Sequence, residues 1–204
     1  MWKAVSLALI VGGVAMLGGC AAAPQESGFL STYKNLEPAD GHLLRYVSSD
    51  AAVAKYQKLI VDPVTTKFYD PKSGDGIDPK DIERMEQSFY AELTKDLSAN
   101  GFELVTDAGP GVGRIKVAIT DLKPGTPALN IIPQTKMTGL GLGAVSAEME
   151  LVDSVSGEQV AAAIDSDTGS RLSLSGLSKW GDAEAVMNGW AKKLADRLKA
   201  ARGA

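Results

Sequence analysis

Histidine and cysteine each occur once in this 204-residue chain. A lone Cys excludes a disulfide framework within the chain and any zinc site built on thiolates. A lone His excludes a multi-histidine metal centre and leaves little for histidine acid–base chemistry. Aromatics make up only 6%, and neither charge dominates: 21 basic residues face 25 acidic ones, for a net charge of −4. That is no electrostatic footprint for nucleic acid. What is present, 45% hydrophobic and 23% charged residues, is the composition of one folded domain with room for a leader.

The leader is legible. Lys3 gives a positive start, and Ala4 to Leu17 is an apolar stretch broken only by Ser6, Gly12 and Gly13. It is shorter than the ~20 residues of a spanning helix and ends in small residues, as an export signal does. Leu17-Gly18-Gly19-Cys20 follows. These four residues resemble the lipobox of bacterial lipoproteins, so Cys20 is the expected lipid attachment site after removal of residues 1–19. Several acyl chains, at ~0.8 kcal/mol per buried CH₂, anchor a protein almost permanently. Ala21 stands where lipoproteins retained in the inner membrane carry Asp, which implies the outer membrane, facing the periplasm.

Residues 20–40 read as a lipidated N-terminus and tether, small, polar and interrupted by Phe29, Leu30 and Tyr33 as a hook. Residues 41–204 read as a single α+β domain. Strands are predicted over 43–47, 58–69 (with Pro63 at an edge or bulge), 102–106 and 114–122. A hairpin turns at Asp153–Gly157, with Val160, Ala162 and Ile164 continuing the apolar face of Val145, Ala147, Met149 and Leu151. Asp78-Pro79 starts a helix with the stripe Ile82, Met85, Phe89, Leu93 and Leu97, closed by Asn100-Gly101. A second helix covers 182–201, with Ala183, Val186, Met187, Trp190, Leu194 and Leu198 buried. Together they predict one mainly antiparallel β-sheet covered by two α-helices.

Ser27-Gly28-Phe29-Leu30-Ser31, Leu44-Arg45-Tyr46-Val47, Val61-Asp62-Pro63-Val64, Val117–Asp121 and Glu150–Glu158 follow the lipobox in that order. In this order they resemble the Gram-negative lipoproteins grouped as domain of unknown function 3313. The resemblance spans nearly the whole mature chain. It implies an envelope lipoprotein and carries no catalytic residues. A looser likeness is to periplasmic lipoproteins with a small α+β domain that assist transporters or build secretion channels.

Chemistry is sparse. His42 lacks a Gly-x-Ser-x-Gly partner and reads as structural. Glu148 and Glu150, with Asp153 beyond, share one strand face; they read as surface carboxylates rather than a glycosidase pair. Asp70, Asp75, Asp78 and Asp81 miss the calcium-loop spacing and read as turn and cap residues. Gly139-Leu140-Gly141-Leu142-Gly143 lacks the spacing of a phosphate-binding fingerprint. The 126–144 stretch is long and low in charge. It is either a glycine-eased strand and bend packed on its own domain, the preferred reading, or a partner- or membrane-facing loop through Leu129, Ile131, Ile132, Leu140 and Leu142. Lys192 to Arg202 reads as a solvated cationic helix end. No catalytic residue, metal or cofactor is expected besides the lipid on Cys20. The expected function is non-enzymatic: an envelope binding or adaptor protein with an envelope protein partner. The alternatives are an auxiliary subunit of a lipid or solute transport system, with a groove for an acyl chain, and less favourably a periplasmic hydrolase.

Overall fold

The protein is described by a computed structural model covering residues 25–170 and 172–203. The export signal, the Leu17–Cys20 motif and Cys20 itself lie outside the described residues.

One eight-stranded sheet organises the chain. In chain order the elements are β1 (Glu37–Pro38), β2 (Leu44–Val47), α1 (Asp50–Val53), β3 (Lys58–Val61), β4 (Thr65–Thr66), α2 (Pro79–Ala99), β5 (Glu103–Leu104), β6 (Val112–Lys123), α3 (Pro127–Asn130), α4 (Pro133–Thr138), β7 (Ala144–Asp153), β8 (Gln159–Thr168) and α5 (Gly181–Ala201). Strands run β1-β2-β8-β7-β6-β3-β5, with β4 also on β6. The β1–β2–β8–β7–β6 pairs are antiparallel, and the pairings of β3, β4 and β5 are parallel. The chain is therefore α+β with a mainly antiparallel sheet.

The two long helices form where capping and periodicity place them. Asp78 accepts from the Lys80 N–H and Pro79 sits at the first helical position of α2. Its Met85, Phe89, Leu93 and Leu97 are fully buried. Asn100 caps the end, and Gly101 takes the left-handed φ of 81° that stops the helix. Helix α5 packs beside α2, with the Phe89 and Trp190 rings 6.4 Å apart and tilted by 40°. Beneath them lie Ile115, Val117 and Ile119 of β6 and Val145, Ala147, Met149 and Leu151 of β7.

Three expectations need correction. The strand predicted over 58–69 breaks at Pro63 into β3 and β4, which run one after the other along β6. Proline has no N–H for the ladder, so pairing lapses there. Strand β5 covers only Lys58 and Leu59 of β3, and β4 pairs with β6 alone, so Pro63 keeps the margin position expected of it. Second, Ala162 and Ile164 do not continue the apolar face of β7; of the three predicted residues only Val160 joins the inner core. The register shifts at Leu151/Val152, leaving Leu151 opposite Ala161 and Glu148 opposite Ile164. That one-residue bulge turns Ala162 and Ile164 to the outer face of the sheet. Third, the preferred strand-and-bend reading of 126–144 fails. Pro127 opens α3, α4 follows, and Gly139 and Gly141 turn the chain with φ of 79° and 86°. Gly141 also allows close approach, since a Cβ there would stand 2.8 Å from the Leu129 Cβ.

Candidate functional site

Glu148 and Glu150 are not surface residues. They stand on the outer face of β7, are 0% and 2% exposed, and lie beneath residues 27–33. Glu148 accepts from the Ser27 N–H, from the Leu30 N–H at 3.3 Å and from the Tyr33 hydroxyl at 2.6 Å. Glu150 accepts from the Ser31 N–H and hydroxyl, both at 2.9 Å, from Lys116 Nζ at 2.7 Å and from Gln159 Nε2 at 2.9 Å. Leu30 fills the space over Ala162 and Ile164. Buried carboxylates are costly unless fully paired, and here backbone and side-chain donors pair them. The two acids thus clasp the N-terminal segment onto the sheet. Alternation along β7 hides this, because a covered outer face reads as a wet one until its cover is known.

Burial pushes the Glu150 carboxyl up, but the bonds from Lys116, Ser31 and Gln159 outweigh it and hold the group below the ordinary glutamate range. The Tyr33 hydroxyl is pushed up to about 12, first by burial and then by its bond to Glu148. A carboxyl depressed on folding binds fewer protons in the native than in the unfolded state. It contributes stability above its unfolded pKa, about 4.3, that is lost as pH falls through the lower folded value. The melting temperature is accordingly expected to drop on acidification below pH ~4, and the drop is shallower in Glu150→Gln when both are followed by circular dichroism.

The inner face carries the second feature, a groove of about 600 Å³ between α5 and the β2–β8 side of the sheet. Register places Arg45 and Val47 of β2 beside Ala163 and Ala161 of β8, facing the helices. The small alanines leave a trough that α5 does not fill. Met149, Leu151, Trp190, Leu194 and Leu198 give apolar surface, and Arg45, Lys193 and Arg197 stand along it. Asp165 sits at one end, its carboxyl held above the ordinary range by burial and by Asp167, against the Ser166 N–H, Lys193 and Trp190. Volumes of 300–1,000 Å³ with apolar walls and few polar groups are typical of ligand sites. The sequence carries little sign of this groove. Its one signal is the run Ala161-Ala162-Ala163, small residues in a strand otherwise built for packing.

The remaining predicted residues are dispersed. His42 is exposed at the margin of the groove. Asp153 accepts from the Val155 and Ser156 N–H groups and from the Tyr56 hydroxyl, so it shapes the hairpin turn. Asp70 and Asp78 cap their own turns, and Asp81 pairs with Lys179 and Arg84. Among the described residues no three of His, Cys, Asp or Glu are placed to hold a metal ion. Lys192 pairs with Asp196, and Arg202 lies over the Phe102 ring. In the 126–144 stretch Leu129 and Leu142 are half-buried, whereas Ile131, Ile132 and Leu140 are exposed.

The solved structures similar to this chain include a PelC dodecamer from Paraburkholderia phytofirmans, at 16% identity and a TM-score of 0.49, covering 77% of this chain and 95% of that one. A minor lipoprotein from Acinetobacter baumannii is similar at 12% identity and a TM-score of 0.37, covering 72% of this chain and 95% of that one. Lipoprotein GNA1162 from Neisseria meningitidis is similar at 15% identity and a TM-score of 0.35, covering 69% and 97%. No curated protein matches. A family model matches residues 25–194, which contain the clasp and nearly all of the groove, and the chain therefore belongs to the family described as Protein of unknown function (DUF3313).

Proposed function

We propose that this protein is a bacterial lipoprotein, held by lipid on Cys20 at the periplasmic face of the outer membrane, that acts by binding an amphipathic ligand. The observation that carries the reading is the groove of about 600 Å³, apolar along Met149, Leu151, Trp190 and Leu194 and flanked by Arg45, Lys193 and Arg197. An acyl chain fits the first set, and an anionic head group fits the second. This favours an auxiliary role in lipid or solute transport. The adaptor reading rests instead on exposed Ile131, Ile132 and Leu140.

The test is native mass spectrometry of the lipoprotein extracted from membranes, followed by titration with a lysophospholipid of anionic head group. One bound amphiphile per chain is expected. Ala163→Trp, which fills the trough from its floor, should abolish binding, while Val155→Trp in the exposed hairpin turn should leave it intact. A chain that binds no amphiphile, or binds it equally well as Ala163→Trp, overturns the groove reading.

A further inference from the structure

The connections at one end of the sheet carry an apolar surface that no other part of the described domain covers. Ile131, Ile132 and Leu140 lie between β6 and β7, and Leu172, Leu174 and Leu177 lie between β8 and α5. Their exposure runs from 45% at Ile132 to 96% at Leu172. The two connections are fastened together: Asn130 Nδ2 donates to the Gly141 and Gly176 carbonyls, and the Gly169 N–H donates to the Gly143 carbonyl. Exposed apolar patches held on a built platform mark a binding surface.

Two further observations identify the occupant. The N-terminal segment runs along the outer sheet face from Ser31, at Glu150, to Ser27, at Glu148, toward this same end. Gln25 reaches a small cavity with Lys123, Ala144 and Thr168, the residues from which the two connections spring. Only four residues separate Cys20 from Gln25, and the five residue steps between them, fully extended, span at most about 18 Å. Charge does not oppose this: residues 124–143 and 169–179 contain no Asp or Glu, and Lys179 is held by Asp81. An apolar surface without carboxylates of its own suits the interfacial region of a bilayer.

We infer that this end of the domain docks on the bilayer that holds the Cys20 lipid, with Ile131, Leu140, Leu172 and Leu174 seated among the head groups. The inference rests on the lipid-anchor reading above. It orients the molecule: the sheet stands on the membrane, and the Asp153–Gly157 turn points away from it.

The test uses the full lipoprotein, purified from membranes and reconstituted in protein-free vesicles of phosphatidylethanolamine and phosphatidylglycerol. Cys20 is the one cysteine of the chain, and its thiol is consumed by the lipid. A thiol-reactive environment-sensitive dye on Leu172→Cys or Leu140→Cys therefore reads that position alone. Lipids spin-labelled near the head group should quench the signal at both positions well above its level at a distant site, as expected for an apolar surface buried at the head-group boundary. The same dye on Val155→Cys, at the far end, should stay bright. Equal quenching at all three positions, or none at Leu172 and Leu140 while the protein still floats with the vesicles, overturns the docking and leaves the anchor standing. A surface made for a protein partner would give that second result. A Cys20 peptide without diacylglycerol mass, in a chain that does not float, overturns the anchor reading instead.

Discussion

Glu148→Ala is expected to lower the unfolding free energy by about 3 kcal/mol and to free residues 27–33 from the sheet. The substitution strips acceptors from the Ser27 and Leu30 N–H groups and from the Tyr33 hydroxyl. Hydrogen bonds to a charged group contribute about 1.5–3 kcal/mol each, and a buried donor left unpaired costs about 1–3. The full sum is not reached, because Ser27 and Tyr33 are only partly buried and can turn to water. If the segment detaches, Leu30 leaves its site over Ile164, which costs about 2 kcal/mol of apolar burial. Glu148→Gln keeps one acceptor and should lose about half as much. Urea unfolding measures the energy, and trypsin cleavage after exposed Lys34 reports release of the segment. Unchanged unfolding and unchanged cleavage in Glu148→Ala would overturn the clasp.

Asp182→Ala is expected to be as damaging, at about 3 kcal/mol, and to loosen the connections that form the apolar end. Asp182 is fully buried in the first turn of α5. It accepts from the Gly143 N–H at 3.0 Å and from the Ser175 hydroxyl at 2.6 Å, joining the segment before β7 to the segment before α5. The helix N-terminus favours a negative charge there by about 0.3–1 kcal/mol. Removing the carboxylate also removes its own desolvation cost, so the loss stays below the sum of the broken bonds. Glycine at 169 belongs to the same arrangement. A Cβ there would stand 2.1 Å from Asp182 Cγ, a clash that backbone or carboxylate must yield to. Gly169→Ala should therefore destabilise comparably, with no hydrogen-bonding group removed. Thermal unfolding of Asp182→Ala, Gly169→Ala and an exposed control such as Lys80→Ala checks this; melting temperatures within a degree or so of one another would refute it.

The long helices were legible because their signals are local. The Asp78-Pro79 cap and the stripe from Met85 to Leu97 need only one helix to be recognised. The hairpin of β7 and β8 was legible in pairing but not in face, because one bulged residue after the turn exchanges inside for outside. The 126–144 stretch is not legible, because glycines between apolar residues look alike in a bend and in a pair of short helices. The burial of both acidic positions of β7 is not legible either, because alternation alone cannot foresee that Leu30 and Tyr33 lie over them.

By itself the sequence determined the leader pattern with its lone Cys20, the family, the α+β class and the two buried helix stripes. Each rests on short local motifs or periodic runs, several of them strung along the chain in the case of the family. Only the tertiary structure decided where Glu148 and Glu150 face, that Arg45 and Ala163 share a groove, and that the segment from Ser31 back to Gln25 runs toward the end of the sheet with the exposed leucines. Each of these joins segments more than 100 residues apart, and such pairings follow from strand order and register, which no local pattern encodes.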